Sequence, residues 1–149
     1  MSSIVRSMLL AAVVAFLAAS GAQAEAGKPH RVVIQVDQND VEVMNLALNN
    51  AKNVLEMYRA KNEDAVVEIV AYGPGLHMLR DDTSPVKDEI RQTREKVPQL
   101  AFGACNNTKR AMERTEGKTI PIIQEAVVVP AGIVRLVELQ EQGYKYAKP

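Results

Sequence analysis

Hydrophobic residues form four short, β-branched runs along the chain, at 31–37, 65–72, 99–105 and 125–129. The runs begin roughly 30 residues apart, a spacing typical of strand–helix–strand units. They are apolar without a clean alternation of polar residues, which indicates strands that are buried on both faces of a parallel sheet. The pattern therefore predicts a three-layer α/β/α fold.

Between these runs, apolar residues recur at steps of three or four, the pattern of an amphipathic helix. The first stripe consists of Val41, Met44, Leu48, Ala51, Leu55 and Tyr58. The expected caps or first residues of the four helices are Asn39, Ser84–Pro85, Asn106 or Asn107, and Pro130. Residues 144–146 alternate and predict a short fifth strand at an edge of the sheet.

The first 24 residues follow a different pattern. Residues 8–19 form a continuous apolar run, and the small residues Ala22 and Ala24 precede Glu25. This is the arrangement of a secretory signal peptide. The run is too short to cross a bilayer, which takes about 20 apolar residues. We therefore predict a signal peptide over 1–24, one domain over 25–149, a periplasmic or secreted location, and no membrane contact after signal removal. An uncleaved N-terminus is the alternative.

Composition removes several functional classes. The chain has 18 Lys and Arg against 18 Asp and Glu, no Trp and a single cysteine. Without a basic surplus or aromatic platforms, we expect no nucleic-acid partner. One cysteine excludes an intramolecular disulfide and a zinc site built from cysteines. The chain lacks both glycine-rich nucleotide loop patterns, so we predict no cofactor. A metal site from Cys105, His77 and Asp37 has no supporting spacing, and we predict no metal.

Candidate site residues follow the predicted strands. Ligands of open α/β sheets bind outside the carboxyl ends of the strands. The stretches that the sequence places there are 37–40, 72–77, 105–108 and 130–132. The candidate site residues within them are Asp37, Gly73, Gly75, His77, Cys105, Asn106, Asn107 and Thr108. We therefore expect residues that are distant in sequence to meet at one edge of the sheet.

Cys105 is the most informative of these residues, because it lies where a strand ends and a helix begins. The free N–H groups at a helix start favour an anion such as a thiolate, so its pKa should fall below about 8.5. Lys109 and Arg110 follow within one turn and add positive charge. The alternative is a small, inert, buried side chain. His77 is either a base beside Cys105 or a solvated side chain, and Asp37 either binds a polar ligand or ends its strand.

Three segments resemble the DsrE/DsrF-like family: VAYGPGLHML at 70–79, FGACNNT at 102–108, and the ending at 127–146. The resemblance implies an α/β/α sandwich with a mainly parallel five-stranded sheet, assembled as trimers or hexamers. It also implies sulfur relay, in which a cysteine that matches Cys105 carries sulfur as a persulfide.

Two functions from different classes follow. In the first, the protein is an exported sulfur carrier or sulfurtransferase. Cys105 then accepts sulfur and passes it to the thiol of a partner protein, Asn106, Asn107 and Thr108 supply amide donors, and His77 assists proton movement. In the second, it is a non-catalytic oligomeric module that binds a small ligand or a protein at the same edge, and Cys105 is inert. Whether the protein is an enzyme stays open at this point.

Overall fold

The structure, a computed structural model, describes residues 27–149. Its centre is one sheet of five strands, all parallel, in the order β4-β3-β2-β1-β5. The strands are β1 His30–Val36, β2 Ala65–Ala71, β3 Leu100–Cys105, β4 Ala126–Val129 and β5 Lys145–Ala147. The first four agree with the predicted runs to within one residue at each end. The predicted edge strand is also confirmed, beside β1. The predicted signal peptide lies outside the described residues.

Four α-helices connect the strands: α1 Val41–Ala60, α2 Lys87–Lys96, α3 Asn106–Glu116 and α4 Gly132–Glu141. A 3-10 helix, Gly73–Leu79, follows β2. Helices cover both faces of the sheet, so the predicted three-layer α/β/α fold is confirmed. None of the helices within residues 27–149 is long and apolar enough to cross a membrane.

The face of the sheet that α1 covers, here the front face, carries the large core. Side chains of β1, β2 and β3 meet those of α1, the 3-10 helix and α2 there. The largest fully buried members include Phe102, Ile34, Met44, Leu48 and Leu76. Removing this much apolar surface from water is the main source of the fold's stability.

Among residues 27–149, α4 alone covers the opposite face, here the back face. Its core contains four buried residues, Val33, Val70, Leu136 and Leu139, with Tyr72 and Tyr144 packed against them. The connection from β4 through α4 to β5 carries the chain from one edge of the sheet to the other. The start of α4 therefore lies above the strand ends of β2 and β3, where the candidate residues are.

Local capping differs from the sequence predictions at all four helices, and α4 begins at Gly132 with Ala131 as its cap, not at Pro130. The cap of α1 is Asp40, not Asn39, because the Asp40 carboxylate accepts the N–H groups of Glu42 and Val43. Helix α2 begins two residues after Pro85, with Val86 as its cap, and the Ser84 hydroxyl donates to the carbonyl oxygen of Met78 and accepts the N–H of Val86. The cap of α3 is Cys105 itself, whose sulfur accepts the N–H of Thr108.

Candidate functional site

A row of side chains crosses the carboxyl ends of four strands on the back face. The register pairs Cys105 with Val129, Ala104 with Ala71, and Ala71 with Val36. One residue further along, Tyr72 is beside Cys105 and Asp37 is beside Tyr72. Because successive side chains of a strand alternate between faces, the side chains of Val129, Cys105, Tyr72 and Asp37 point to the face that α4 covers.

Cys105 lies at the junction of two helix starts. As the cap of α3, its Sγ accepts the backbone N–H of Thr108 at 3.5 Å. The start of α4 approaches from the other side, and the backbone N–H of Gly132 helps to lower the pKa of the Cys105 thiol. The cap residue of α4 is Ala131, which has no side-chain acceptor to offer the first turn. The sulfur therefore caps α3 and faces the uncapped first turn of α4.

These donors decide the protonation state of the thiol. Burial raises the pKa of Cys105, since the side chain is only 4% exposed. The hydroxyl and N–H of Thr108 oppose this effect most strongly, followed by the nearby backbone of Gly132 and Asn107, and together they outweigh burial, so the net pKa is below that of an ordinary thiol. Donors that favour the charged form act in this direction in general. Cys105 is therefore buried among polar donors, in contrast to an inert cysteine surrounded by apolar side chains.

The glycine-rich segment after β2 supports this arrangement through its backbone. Gly73 adopts a left-handed conformation, with φ of 53°, and its N–H donates to Thr108 Oγ1 at 2.9 Å. Gly75 has no room for a side chain, because a Cβ there would be 2.3 Å from the carbonyl oxygen of Val36. Thr108 thus accepts from Gly73 and donates to Cys105, which links the two loops at the sulfur.

Asp37 forms the other end of the row. Its Oδ2 accepts Gln35 Nε2 at 2.8 Å and lies 3.5 Å from Lys148 Nζ, whereas its Oδ1 is buried and has no hydrogen-bond partner within residues 27–149. Tyr146 donates its hydroxyl to Gln35 Oε1 at 2.7 Å. Burial, followed by the nearby Asp37, raises the pKa of Tyr72. Tyr72 therefore remains a neutral phenol beside Cys105.

His77 is engaged elsewhere. Its Nε2 lies 2.9 Å from the carbonyl oxygen of Thr83, and the groups that shift the pKa of Cys105 do not include it. The 3-10 helix carries His77 towards the front face, where its neighbours Leu76 and Met78 are fully buried. Lys109 is likewise occupied, because its Nζ pairs with Glu113 at 2.5 Å. The charges expected to assist the thiolate are replaced by neutral N–H and O–H donors.

Two residues of this site, Tyr72 and Gly132, are placed at this edge by the sequence but are given no role there. Tyr72 is the last residue of a predicted strand, and only the register shows that it lies between Cys105 and Asp37. Gly132 contacts Tyr72 so closely that a Cβ would lie 2.7 Å from Tyr72 Cβ. The available signal was the sequence Pro130-Ala131-Gly132, a helix start without a capping side chain next to a strand end.

Other parts of the described chain offer less chemistry. Within residues 27–149, no three His, Cys, Asp or Glu side chains are grouped in a way that could hold a metal ion. A cavity of about 390 Å³ lies at the amino ends of the strands, the edge opposite Cys105. Its lining includes Arg59, Asp64 and Lys96, all exposed. We place the candidate site at Cys105 because several donors converge there on one reactive atom.

No protein-family model matches the chain, and no curated protein matches it. Among solved structures, the chain is similar to MTH1491, a protein of unknown function from Methanobacterium thermoautotrophicum. The two chains share 29% sequence identity, and the TM-score is 0.67 over 80% of this chain and 99% of that chain. The similarity supports the α/β/α fold and assigns no activity.

Proposed function

We propose that the protein is a sulfur carrier, in which Cys105 accepts a sulfur atom as a persulfide and passes it to the thiol of a partner. The observation that carries this proposal is the set of donors around Cys105 Sγ, from Thr108 and from the first turns of α3 and α4. A thiolate is the form of cysteine that attacks sulfur. The resemblance of the segments around Cys105 to the DsrE/DsrF-like family supports the same chemistry.

The transfer balances without a further reagent. The Cys105 thiolate attacks the outer sulfur of a donor persulfide, an S–S bond forms to Sγ, and the S–S bond of the donor breaks. The donor leaves as a thiolate. The transferred outer sulfur keeps its proton, so Cys105 becomes Cys–S–SH. A partner thiolate then attacks the outer sulfur and releases Cys105 as a thiolate. The hydrogen bonds from Thr108 and the nearby backbone of Gly132 stabilise Cys105 as the leaving group.

The burial of Cys105 bears on the identity of the donor. The side chain is 4% exposed, so a small persulfide reaches Sγ with less rearrangement than a folded protein does. Once loaded, the outer sulfur is about 2 Å beyond Sγ, the length of an S–S bond. The atom to be transferred then extends from the site, where the thiol of a protein partner can meet it.

Mass spectrometry of the reduced protein after incubation with a small persulfide tests the proposal. We expect the mass of one added sulfur on the natural chain, removable by dithiothreitol, and no addition on Cys105→Ser. A Thr115→Val variant, altered on the same helix but away from the sulfur, should load normally. Absence of loading on a natural chain shown to be reduced and folded would contradict the carrier function.

A second candidate is a non-catalytic oligomeric module with an inert Cys105. Exposed apolar side chains favour it: Ile133, Val134 and Val137 on α4 and Val127 on β4 are each about half exposed or more. Such a cluster on a soluble domain often marks an interaction surface. We propose that copies of this chain associate, as trimers or hexamers by the resemblance. Sedimentation of the natural chain and of Val134→Asp measures this, and a monomeric natural chain would contradict it.

We also propose that the protein is exported and functions in the periplasm or outside the cell. The support is the apolar run at 8–19 followed by Ala22 and Ala24. N-terminal sequencing of the protein from the producing cell tests this, with Glu25 as the expected first residue. A retained Met1 would contradict it.

A further inference from the structure

An ion pair joins α4 to the sheet close to Cys105. Glu68, on the back face of β2, is 7% exposed, and its carboxylate accepts Arg135 Nε at 2.8 Å and Nη2 at 2.7 Å. Two parallel bonds between a guanidinium and a carboxylate fix both distance and orientation. The carboxylate leans over β3, because Glu68 Oε1 is only 3.0 Å from where a Cβ on Gly103 would be.

The pair acts on the turn of α4 that reaches the sulfur. Arg135 is three residues after Gly132, and its backbone N–H donates to the carbonyl oxygen of Ala131. The two residues therefore belong to the same first turn. Since Ala131 provides no cap, the direction of the Gly132 N–H depends on how this turn is held on the sheet.

The remaining contacts of this turn are less directional. Gly132 packs on the ring and Cβ of Tyr72, and Pro130 accepts the N–H of Asn107 at 3.3 Å. The apolar contacts of α4, through Leu136 and Leu139, are further along the helix. The two bonds from Arg135 to Glu68 are the directional side-chain contact between this turn and the sheet.

We propose that the Glu68–Arg135 ion pair is a positioning element, which seats the first turn of α4 on the sheet so that the backbone of Gly132 packs on Tyr72 and faces Cys105. Neither side chain touches the sulfur, so both act through the helix. This proposal rests on the proposed function only for the role of the thiolate, which is to accept sulfur. Its test concerns the unloaded thiol, so it can fail or succeed independently of sulfur loading.

A role of the ion pair through its charge and a role through the position of α4 predict opposite changes in the pKa of Cys105 for one variant. In Glu68→Met, Arg135 loses its partner. If the pair acted only through charge, the uncompensated guanidinium would stabilise the thiolate and lower the pKa of Cys105. If the pair positions α4, the Gly132 N–H moves away and the pKa rises. The double variant Glu68→Met/Arg135→Met changes no net charge, so charge alone predicts no change.

The experiment is a titration of the Cys105 thiolate by ultraviolet absorbance in the folded, reduced protein, for the natural chain and these two variants. The pKa should rise in both variants relative to the natural chain. A fall or no change in either would overturn the proposal. The double variant is expected to fold, because apolar residues of similar volume commonly replace a buried ion pair without loss of stability.

Leu139→Ala is the matched control. It removes an apolar contact of the same helix about two turns beyond Gly132 and leaves the ion pair intact. The proposal predicts the natural pKa of Cys105 in this variant. If Leu139→Ala raised the pKa as much as the Glu68 variants do, general loosening of α4 would explain all three results, and the positioning role would be wrong.

Discussion

The two faces of the sheet differ in what their side chains do. The front face is covered by α1, α2 and the 3-10 helix, and its core is large and almost entirely apolar. The back face is covered, within the described part of the chain, by α4 alone, with four buried apolar residues, and it also carries Glu68, Tyr72 and Cys105. Apolar burial does not depend on direction, whereas hydrogen bonds do. The front face therefore supplies stability, and the back face places donors around one sulfur.

The largest effect is expected at the front face. Phe102→Ala should lower the free energy of unfolding by about 3–5 kcal/mol, because a large, fully buried ring leaves a cavity. If the variant remains folded, the pKa of Cys105 should not change, since Phe102 points to the face opposite the sulfur. Urea unfolding and thiol titration measure the two properties. A large pKa change in the folded variant would contradict the division between the faces.

A matched change in the back core should cost less. We expect Leu139→Ala to lower the free energy of unfolding by about 2 kcal/mol, at the low end for Leu→Ala, because the thin layer under α4 can collapse around the gap. The same urea experiment gives the value. If the loss exceeded that of Phe102→Ala, the back face would be the main source of stability and the comparison would fail.

Gly132→Ala tests the close contact between the first turn of α4 and Tyr72 at the end of β2. The added methyl would be 2.7 Å from Tyr72 Cβ, so the first turn must shift. We expect a loss of about 1 kcal/mol in unfolding free energy, in the lower range for added core volume. The pKa of Cys105 should rise, because the Gly132 N–H retreats. Gly27→Ala, at an open position without a positive φ, is the control for a methyl group alone, and the sulfur should not respond to it.

Thr108→Val removes one donor while keeping a β-branched side chain of similar size. Burial raises the pKa of Cys105, and the Thr108 hydroxyl is the leading opposing contribution, so its loss should raise the pKa. Thr115→Val removes a hydroxyl from the same helix, one that bonds to the carbonyl oxygen of Ala111 at 3.1 Å, far from the sulfur. Titration of both variants measures the difference. Equal behaviour of the two would show that the Thr108 hydroxyl has no special role.

The smallest expected effect is a pH dependence of stability. The pKa of Cys105 is lower in the folded chain than the value of about 8.5 in the unfolded chain. The thiolate therefore contributes stability fully above about pH 8.5, and this contribution is lost as pH falls through the folded-state pKa. Relative to Cys105→Ser, the natural chain should gain stability between about pH 6 and about pH 9. An unchanged difference across that range would contradict the lowered pKa.

The sequence predicts the parts of the molecule that depend on local pattern. The apolar runs of β1 to β4 are found to within one residue, and the position of Cys105 at a strand end follows from them. The alternation at 144–146 was enough to predict β5. Hydrophobic periodicity determines such elements because burial acts on each residue in its own segment.

The parts that the sequence did not predict depend on registers and on contacts between distant segments. Nothing near Cys105 in sequence indicates that Gly132 faces it, because that arrangement requires α4 to return across the back face. His77 was placed beside Cys105 on the assumption that neighbouring loops meet. His77 lies in the 3-10 helix Gly73–Leu79, and its side chain contacts the carbonyl oxygen of Thr83 instead. The position of a residue along a strand can be predicted from the neighbouring sequence, whereas the direction of a loop depends on contacts with distant segments.

The back face lowers the pKa of Cys105 through donors whose effect outweighs that of burial. The most direct test is the ultraviolet titration of the reduced, folded natural chain, which requires no reagent to reach a side chain that is 4% exposed. The account predicts a single cysteine titration with a midpoint below about 8.5, absent in Cys105→Ser. A midpoint at or above that value would mean that burial prevails over the donors, and it would contradict the account.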